Sequence, residues 1–297
     1  MNITIIGFGE AGPVFGKQLQ SKGMTVTAWD QLQTDPLTIG PQLAKTQSLN
    51  IIAAASMSDA VMSADLIIST VTASQAIHAA EQAADGLRAG CQWLDLNSVS
   101  PSTKQTINNI VVDKGALFTE GVAMDTVPSK GTQVPVLLCG PVSQSLSELL
   151  NGAGFNTKSV SDTLGAASTT KLLRSILIKG MESLFAESME AAGKVGVEDE
   201  VLASLQATYP GIDWHTTAGY QLSRATIHAA RRASEMREAE ELVRQLDVKP
   251  IMTSAIAARQ QNLSDRNVAS NYVPGAEPSI ADYISAVSKS AVLVDKR

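Results

Sequence analysis

Through the first half of the chain, short apolar runs alternate with stretches of helical period. "NITIIG" (2–7) is short and β-branched, and "EAGPVFGKQLQSKG" (10–23) places apolar residues at three- and four-residue steps until Gly23 ends it. "MTVTAWD" (24–30), "DLIISTV" (65–71), "CQWLDLN" (91–97), "ALFTEGVAM" (116–124) and "VPVLLCG" (134–140) read as further strands. "SMSDAVMSA" (56–64) and "SQAIHAAEQAADGL" (74–87) read as helices between them. "SPSTKQTINNIVVDKG" (100–115) predicts another, with Ser100 as N-cap and Pro101 in the first turn. Strands and helices alternating at these lengths imply a parallel sheet covered by helices on both faces.

From about Thr163 the strand signals stop. Ala/Leu/Glu-rich stretches at 169–195, 201–207, 221–246 and 280–294 predict an all-helical second part. The expected division is residues 1–162 and 163–297. "NYVPGAEPS" (271–279) is a turn-rich loop.

Composition adds exclusions. The chain has 297 residues, 44% hydrophobic and 18% charged, which suits a well-cored globular protein. Its net charge of −6, without a long basic run, argues against nucleic acid. The pair Arg231-Arg232, followed by Glu235, Glu238, Glu240 and Glu241, reads as a solvated helix face. Cys91 and Cys139 stand far apart with no C-x-x-C pairing, so neither a disulfide framework nor a zinc site is expected. His78 and His215 lack a metal-ligand partner at useful spacing, and His215 is read as lying in a loop. No apolar stretch approaches bilayer length, and the first residues run directly into a strand without a signal-peptide pattern. A cytoplasmic setting, with no membrane partner, is the expectation.

"IIGFGEAG" places Gly7, Gly9 and Gly12 in G-x-G-x-x-G spacing between a strand and a helix. Gly7 permits the tight turn, Gly9 lets backbone approach a pyrophosphate, and Gly12 lets the helix pack on the strand. The phosphates would sit at the positive end of the helix. Phe8, Glu10 and Ala11 belong to the same loop, and Val71 and Thr72, after another strand, are further candidate cofactor contacts. Asp30 ends the second strand, where an acid accepts from adenosine ribose hydroxyls and repels a 2′-phosphate. No Lys or Arg lies within Trp29–Leu43 to compensate, so NAD is expected over NADP. The fold class is therefore α/β: a Rossmann-type doubly wound sheet, then a helical domain.

Three motifs resemble the β-hydroxyacid dehydrogenase superfamily, which includes 3-hydroxyisobutyrate dehydrogenase, tartronate semialdehyde reductase and 6-phosphogluconate dehydrogenase. "GFGEAG" is similar to its dinucleotide fingerprint. "DLNSVSPST" (95–103) resembles its D-x-S-T-x-x-P substrate segment, with Asn97 and Ser98 in place of Ser-Thr. "GAASTTKLL" (165–173) resembles its glycine-led entry to a catalytic-lysine helix. The resemblance implies that Lys171 is catalytic. The chemistry agrees, because a carbon releases hydride as its hydroxyl loses a proton, and a lysine can take that proton. Arg174 and Lys179, on the same apolar helix, flank the face of Lys171, Ser175, Ile178 and Glu182 and are read as rim or surface groups.

The departures concern substrate. Ser175 stands where the family places Asn, and Met124 and Asp125 stand where its D-A-P-V-S-G-G loop has Ser and Gly. "IHAARRASEM" (227–236) stands near the position of its C-terminal Lys-Asp pair. Ser98, Asn97, Ser175, Asp125 and His228 are the candidate substrate residues, with Ser98 and Ser175 expected to orient substrate in a cleft between domains. His228 and Arg232, four apart, could share a helix face toward an anion. The resulting expectation is an NAD-dependent dehydrogenase of a small hydroxy acid or related alcohol, forming a homodimer through its helical part. An imine or ketone reductase, or a non-catalytic NAD(H)-binding sensor, remain the alternatives.

Overall fold

The computed structural model describes residues 1–273 and 278–290; the rest of the turn-rich loop and the end of the predicted last helix lie outside the described residues. The first elements are β1 (Asn2–Ile6), α1 (Ala11–Ser21), β2 (Thr25–Trp29), α2 (Ile39–Ser48), β3 (Ile52–Ala53), α3 (Met57–Val61), β4 (Leu66–Ser69) and α4 (Ala76–Ala83). Next come β5 (Gln92–Asp95), α5 (Pro101–Val112), β6 (Leu117–Ala123), α6 (Val127–Lys130), β7 (Pro135–Cys139), α7 (Ser143–Gly152) and β8 (Asn156–Ser161). The helical part comprises α8 (Ala166–Gly193), α9 (Glu198–Thr208), α10 (Trp214–Ile227), α11 (Ala229–Gln245), α12 (Ile251–Asp265) and α13 (Ile280–Lys289). The chain forms two compact units, Met1–Lys171 and Leu172–Arg297.

In the first unit the eight strands lie in the order β3-β2-β1-β4-β5-β6-β7-β8. All pairs are parallel except β6 with β7, where Glu120 faces Cys139 and Ala123 faces Val136. That pair departs from the purely parallel expectation, because the short segment containing α6 is too brief for a crossover and returns the chain antiparallel.

Apolar runs on central strands serve two cores at once. Ile3 and Ile5 of β1, Leu66 and Ile68 of β4 and Leu94 of β5 enter one layer with Phe15 and Leu19 of α1. Ile6, Ile67 and Trp93 enter the other with Val61, Ala80 and Ile107. Side chains alternate across a strand, so a sheet buried on both faces needs continuous apolar runs. The helix over 100–115 forms as α5, with the Ser100 hydroxyl accepting from Thr103 N–H.

In the second unit the uniform stretch at 221–246 is two helices, α10 and α11, broken at His228. His215 lies in the first turn of α10, not in a loop, behind an Asp213 cap. The helix α12 escaped the reading from pattern because its polar and apolar residues are mixed around its whole circumference. Ala186, Met189, Leu202, Leu222, Leu263 and Tyr283 fill this unit's main core.

Candidate active site

The glycine loop is wired by its own backbone. Gly7 adopts φ +87° and donates its N–H to Trp29 C=O at 2.9 Å. A Cβ there would lie 2.7 Å from Thr70 C=O, so only glycine is accommodated. The Thr70 hydroxyl donates to Gly7 C=O at 2.7 Å, and Val71 packs beside the same glycine. A Cβ on Gly12 would collide with Gly7 C=O, whereas at Gly9 the space is open. The start of α1 at Ala11 has no side-chain cap, Glu10 being exposed and uninvolved. Uncapped helix N–H groups beside an open glycine suit a pyrophosphate. Phe8, in contrast, is fully buried, backbone included, so it supports the loop from beneath.

Asp30 holds this loop. Its Oδ2 accepts from Phe8 N–H at 2.5 Å and its Oδ1 from Leu32 N–H at 2.9 Å. Two residues unmarked by any sequence motif brace the loop from α2. Lys45 Nζ donates to Phe8 C=O at 2.9 Å and Gly9 C=O at 2.6 Å, and Gln42 donates to Phe8 C=O at 3.2 Å. Lys45 lies two residues beyond the cation-free stretch Trp29–Leu43, and its ammonium is engaged with the loop's carbonyls. Thr72 follows β4, with its hydroxyl 3.3 Å from that of Ser74.

At the carboxyl ends of β4, β5 and β6 a second network forms. Asp95 is fully buried, and its carboxylate accepts from Asn97 N–H at 3.2 Å and Asn97 Nδ2 at 2.8 Å. Asn97 Nδ2 also donates to Ser69 Oγ at 2.9 Å. Lys104, fully buried on α5, meets Asp95 Oδ1 at 2.5 Å, Asp95 C=O at 2.8 Å and Gly121 C=O at 3.1 Å. The sequence carried a signal here: Lys104 stands three and seven residues before Ile107 and Val111, on the buried face of α5.

Glu120 of β6 is also fully buried, and its carboxylate accepts from the N–H groups of Gly165 and of Ser168, the latter at 2.6 Å. It thereby caps the start of α8, where a negative charge complements the helix dipole. Three residues on, Lys171 Nζ donates to Ser98 Oγ at 2.6 Å. This contact, 73 residues apart in sequence, joins two of the motifs picked out from the sequence. Ser175 is buried one turn further along α8. Asp125 forms an ion pair with Lys130 at 2.8 Å.

The other cations of α8 separate. Arg174 is exposed. Lys179 is 5% exposed and pairs with Glu235 at 2.9 Å, so it is a buried partner rather than a rim group. Arg232 is likewise no part of a solvated face: it is 6% exposed and pairs with Glu182 at 2.8 Å, while Arg231 stays outside. His228, four residues before Arg232, sits at the break between helices, with its C=O accepting from Arg232 N–H at 3.0 Å and its Nε2 3.1 Å from Arg224 Nη1. Burial pushes the Glu182 carboxyl up to about 7, although Arg232, Lys179 and Arg224 pull the other way. Burial and the nearby Glu120 push the Cys139 thiol up to about 11, so it is no nucleophile at neutral pH.

Comparison with known proteins matches residues 2–122 to the NAD binding domain of 6-phosphogluconate dehydrogenase and residues 192–263 to a domain of unknown function, DUF1932. A conserved hypothetical protein from Sinorhizobium meliloti has a solved structure 30% identical to this chain, covering 97% of it and 96% of that chain with a TM-score of 0.78. A conserved protein of unknown function, described as structurally similar to 3-hydroxyacid dehydrogenases, is 27% identical over 89% of this chain and 97% of its own, with a TM-score of 0.73. The 2-(hydroxymethyl)glutarate dehydrogenase of Eubacterium barkeri is 22% identical over 69% of this chain and 68% of its own. The chain belongs to the β-hydroxyacid dehydrogenase superfamily, in a divergent branch, and carries that superfamily's NAD-binding domain.

Proposed function

We propose that the protein is an NAD-dependent oxidoreductase acting on the CH–OH group of a small hydroxy acid, with Lys171 as its acid/base. The observation that carries this reading is the Lys171–Ser98 hydrogen bond at the carboxyl end of β5. The glycine loop leaves the same sheet edge two strands away, after β1, with β4 between them. Parallel sheets bind ligands at that edge, and two strand spacings are about 10 Å.

When bound, the nicotinamide supplies the two-electron acceptor. Lys171, as the neutral amine, accepts the proton that the substrate hydroxyl loses; in the reverse direction the ammonium returns it. Ser98 holds the amine in place and presents its hydroxyl and backbone to a substrate oxygen. Ser175, one turn along α8, and Asp125 are the proposed substrate contacts that depart from the family pattern. Division near residues 162–163, with substrate and dimer contacts in the helical part, belongs to the same reading.

Reduction of NAD by a panel of 2- and 3-hydroxy acids, free and phosphorylated, tests the proposal directly. Turnover that depends on Lys171 is the expected result; no turnover with any member, despite tight NADH binding, would favour a sensor. Preference for NAD rests on Asp30. Asp30→Ala weakens both cofactors, because Phe8 N–H loses its acceptor, but removes repulsion from NADP alone. The ratio of the two dissociation constants moves toward NADP by about tenfold, the equivalent of 1.4 kcal/mol. An unchanged ratio removes Asp30 from cofactor selection.

A homodimer is supported by a stripe on α8. Leu173, Leu177, Met181 and Leu184 recur at three- and four-residue steps and are 40%, 71%, 42% and 62% exposed. A continuous apolar helix face of this kind marks a protein contact. Leu177→Glu is expected to halve the mass measured by sedimentation equilibrium; a wild-type monomer would sink the idea.

A further inference from the structure

We infer that Lys104 is a positioning residue, which fixes the Asn97–Ser98 segment and through it the amine of Lys171. The inference rests on the acid/base reading of Lys171 for its significance, but not for its test. A lysine with no exposed surface has left water altogether, and needs full compensation. Lys104 obtains it from one carboxylate oxygen and two carbonyls, an acceptor for each of its three protons. These acceptors belong to Asp95 at the end of β5 and Gly121 within β6, so the ammonium ties two adjacent strands to α5.

The same Asp95 carboxylate receives both donors of Asn97. Lys104 sits against this fully buried carboxylate as its ion-pair partner. Without the ammonium, the buried carboxylate loses its counter-charge, and its bonds to Asn97 are no longer held in this geometry. Asn97 is also anchored by Ser69 Oγ, and the flanking backbone by Leu96 N–H to Ser69 C=O at 3.0 Å and Val99 N–H to Asn97 C=O at 3.1 Å, but the Asp95 carboxylate alone receives the Asn97 N–H. Ser98 is the next residue, and its hydroxyl reaches Lys171 only while that backbone is held. A buried charge on the apolar face of α5 is thus coupled, through Asp95 and Asn97, to the Ser98 hydroxyl that meets the proposed acid/base.

The test reads Lys171 itself and needs neither substrate nor cofactor. Intact protein is treated at neutral pH with acetic anhydride, and acetylation of Lys171 is timed by peptide mass spectrometry. Ser98→Ala removes an acceptor that holds the amine at 2.6 Å, so labelling quickens by about three- to tenfold. Lys104→Met is expected to give an increase of the same size. In the double variant Ser98→Ala/Lys104→Met the rate equals that of either single variant, since both act through one contact. If Lys104→Met folds poorly, Asp95→Asn/Lys104→Met removes both charges together and is expected to quicken labelling equally.

Labelling unchanged by loss of Lys104, or effects that multiply in the double variant, would overturn the inference. So would a Ser98→Ala rate equal to wild type. A merely structural lysine would lower the melting temperature and leave the labelling pattern additive. Should the hydroxy-acid panel show no turnover, the labelling result would still stand or fall by itself.

Discussion

If Lys171 is the proposed acid/base, Lys171→Met is expected to lower turnover by about 10³-fold, a value within the range typical of a positioned acid/base, while its dissociation constant for NADH stays within a factor of about 3, worth under 1 kcal/mol. Methionine keeps the unbranched stem and lies easily in a helix, so α8 is retained. What disappears is the ammonium that meets Ser98 at 2.6 Å. NADH binding depends instead on the glycine loop, whose bonds run to Asp30, Thr70 and Lys45. The measurement is paired: cofactor fluorescence titration for binding, and steady-state turnover with the best substrate from the panel. Turnover retained within tenfold would reduce Lys171 to a partner of Ser98. Loss of both binding and turnover would point to misfolding.

The second large effect is on stability. Arg232→Met strands the Glu182 carboxylate, which is 1% exposed, and costs the helical unit about 3–5 kcal/mol at pH 8. The cost shrinks toward pH 5, because the carboxyl can escape by taking up a proton. In the wild type burial already pushes this group from the ordinary 4.5 up to about 7. The folded state therefore binds that proton more tightly than the unfolded chain. Its contribution to stability is complete below about pH 4.5 and is lost as pH rises through 7, by about 3 kcal/mol. Glu182→Gln should remove this slope, leaving stability flatter between pH 5 and 8. Hydrogen exchange of α11 peptides reads the helical unit separately from the rest of the chain. An Arg232→Met penalty equal at pH 5.5 and pH 8 would show that Glu182 is not the group left uncompensated.

The cofactor loop was legible in the sequence because its requirements are local. Gly7, Gly9 and Gly12 lie within six residues, and a turn with φ +87° beside a neighbouring carbonyl excludes side chains whatever surrounds it. The strands of the central sheet were equally clear, since burial on both faces demands runs such as "LIIS". Lys171 and Ser98 could each be selected by motif, yet nothing in their spacing of 73 residues tells that they touch. The reading of Lys179 and Arg232 as surface groups failed for a related reason. Charge on a helix ordinarily means water, and only partners on other helices, Glu235 and Glu182, make burial tolerable. His228 was hidden inside one apparent helix because a break between α10 and α11 needs no Pro or Gly when packing turns the chain.

By itself, then, the sequence determined the succession of strands and helices, the dinucleotide loop and the family of its motifs, all of which follow from local backbone preference and periodic burial. The tertiary structure decided which charges meet. It brought Lys104 to Asp95, Lys45 to the glycine loop and Glu120 to the start of α8, contacts made by residues 9, 36 and 45 or more positions apart. The physical reason is that an ion inside a protein takes its stability from the geometry of its partners, and that geometry exists only once the chain has closed around it.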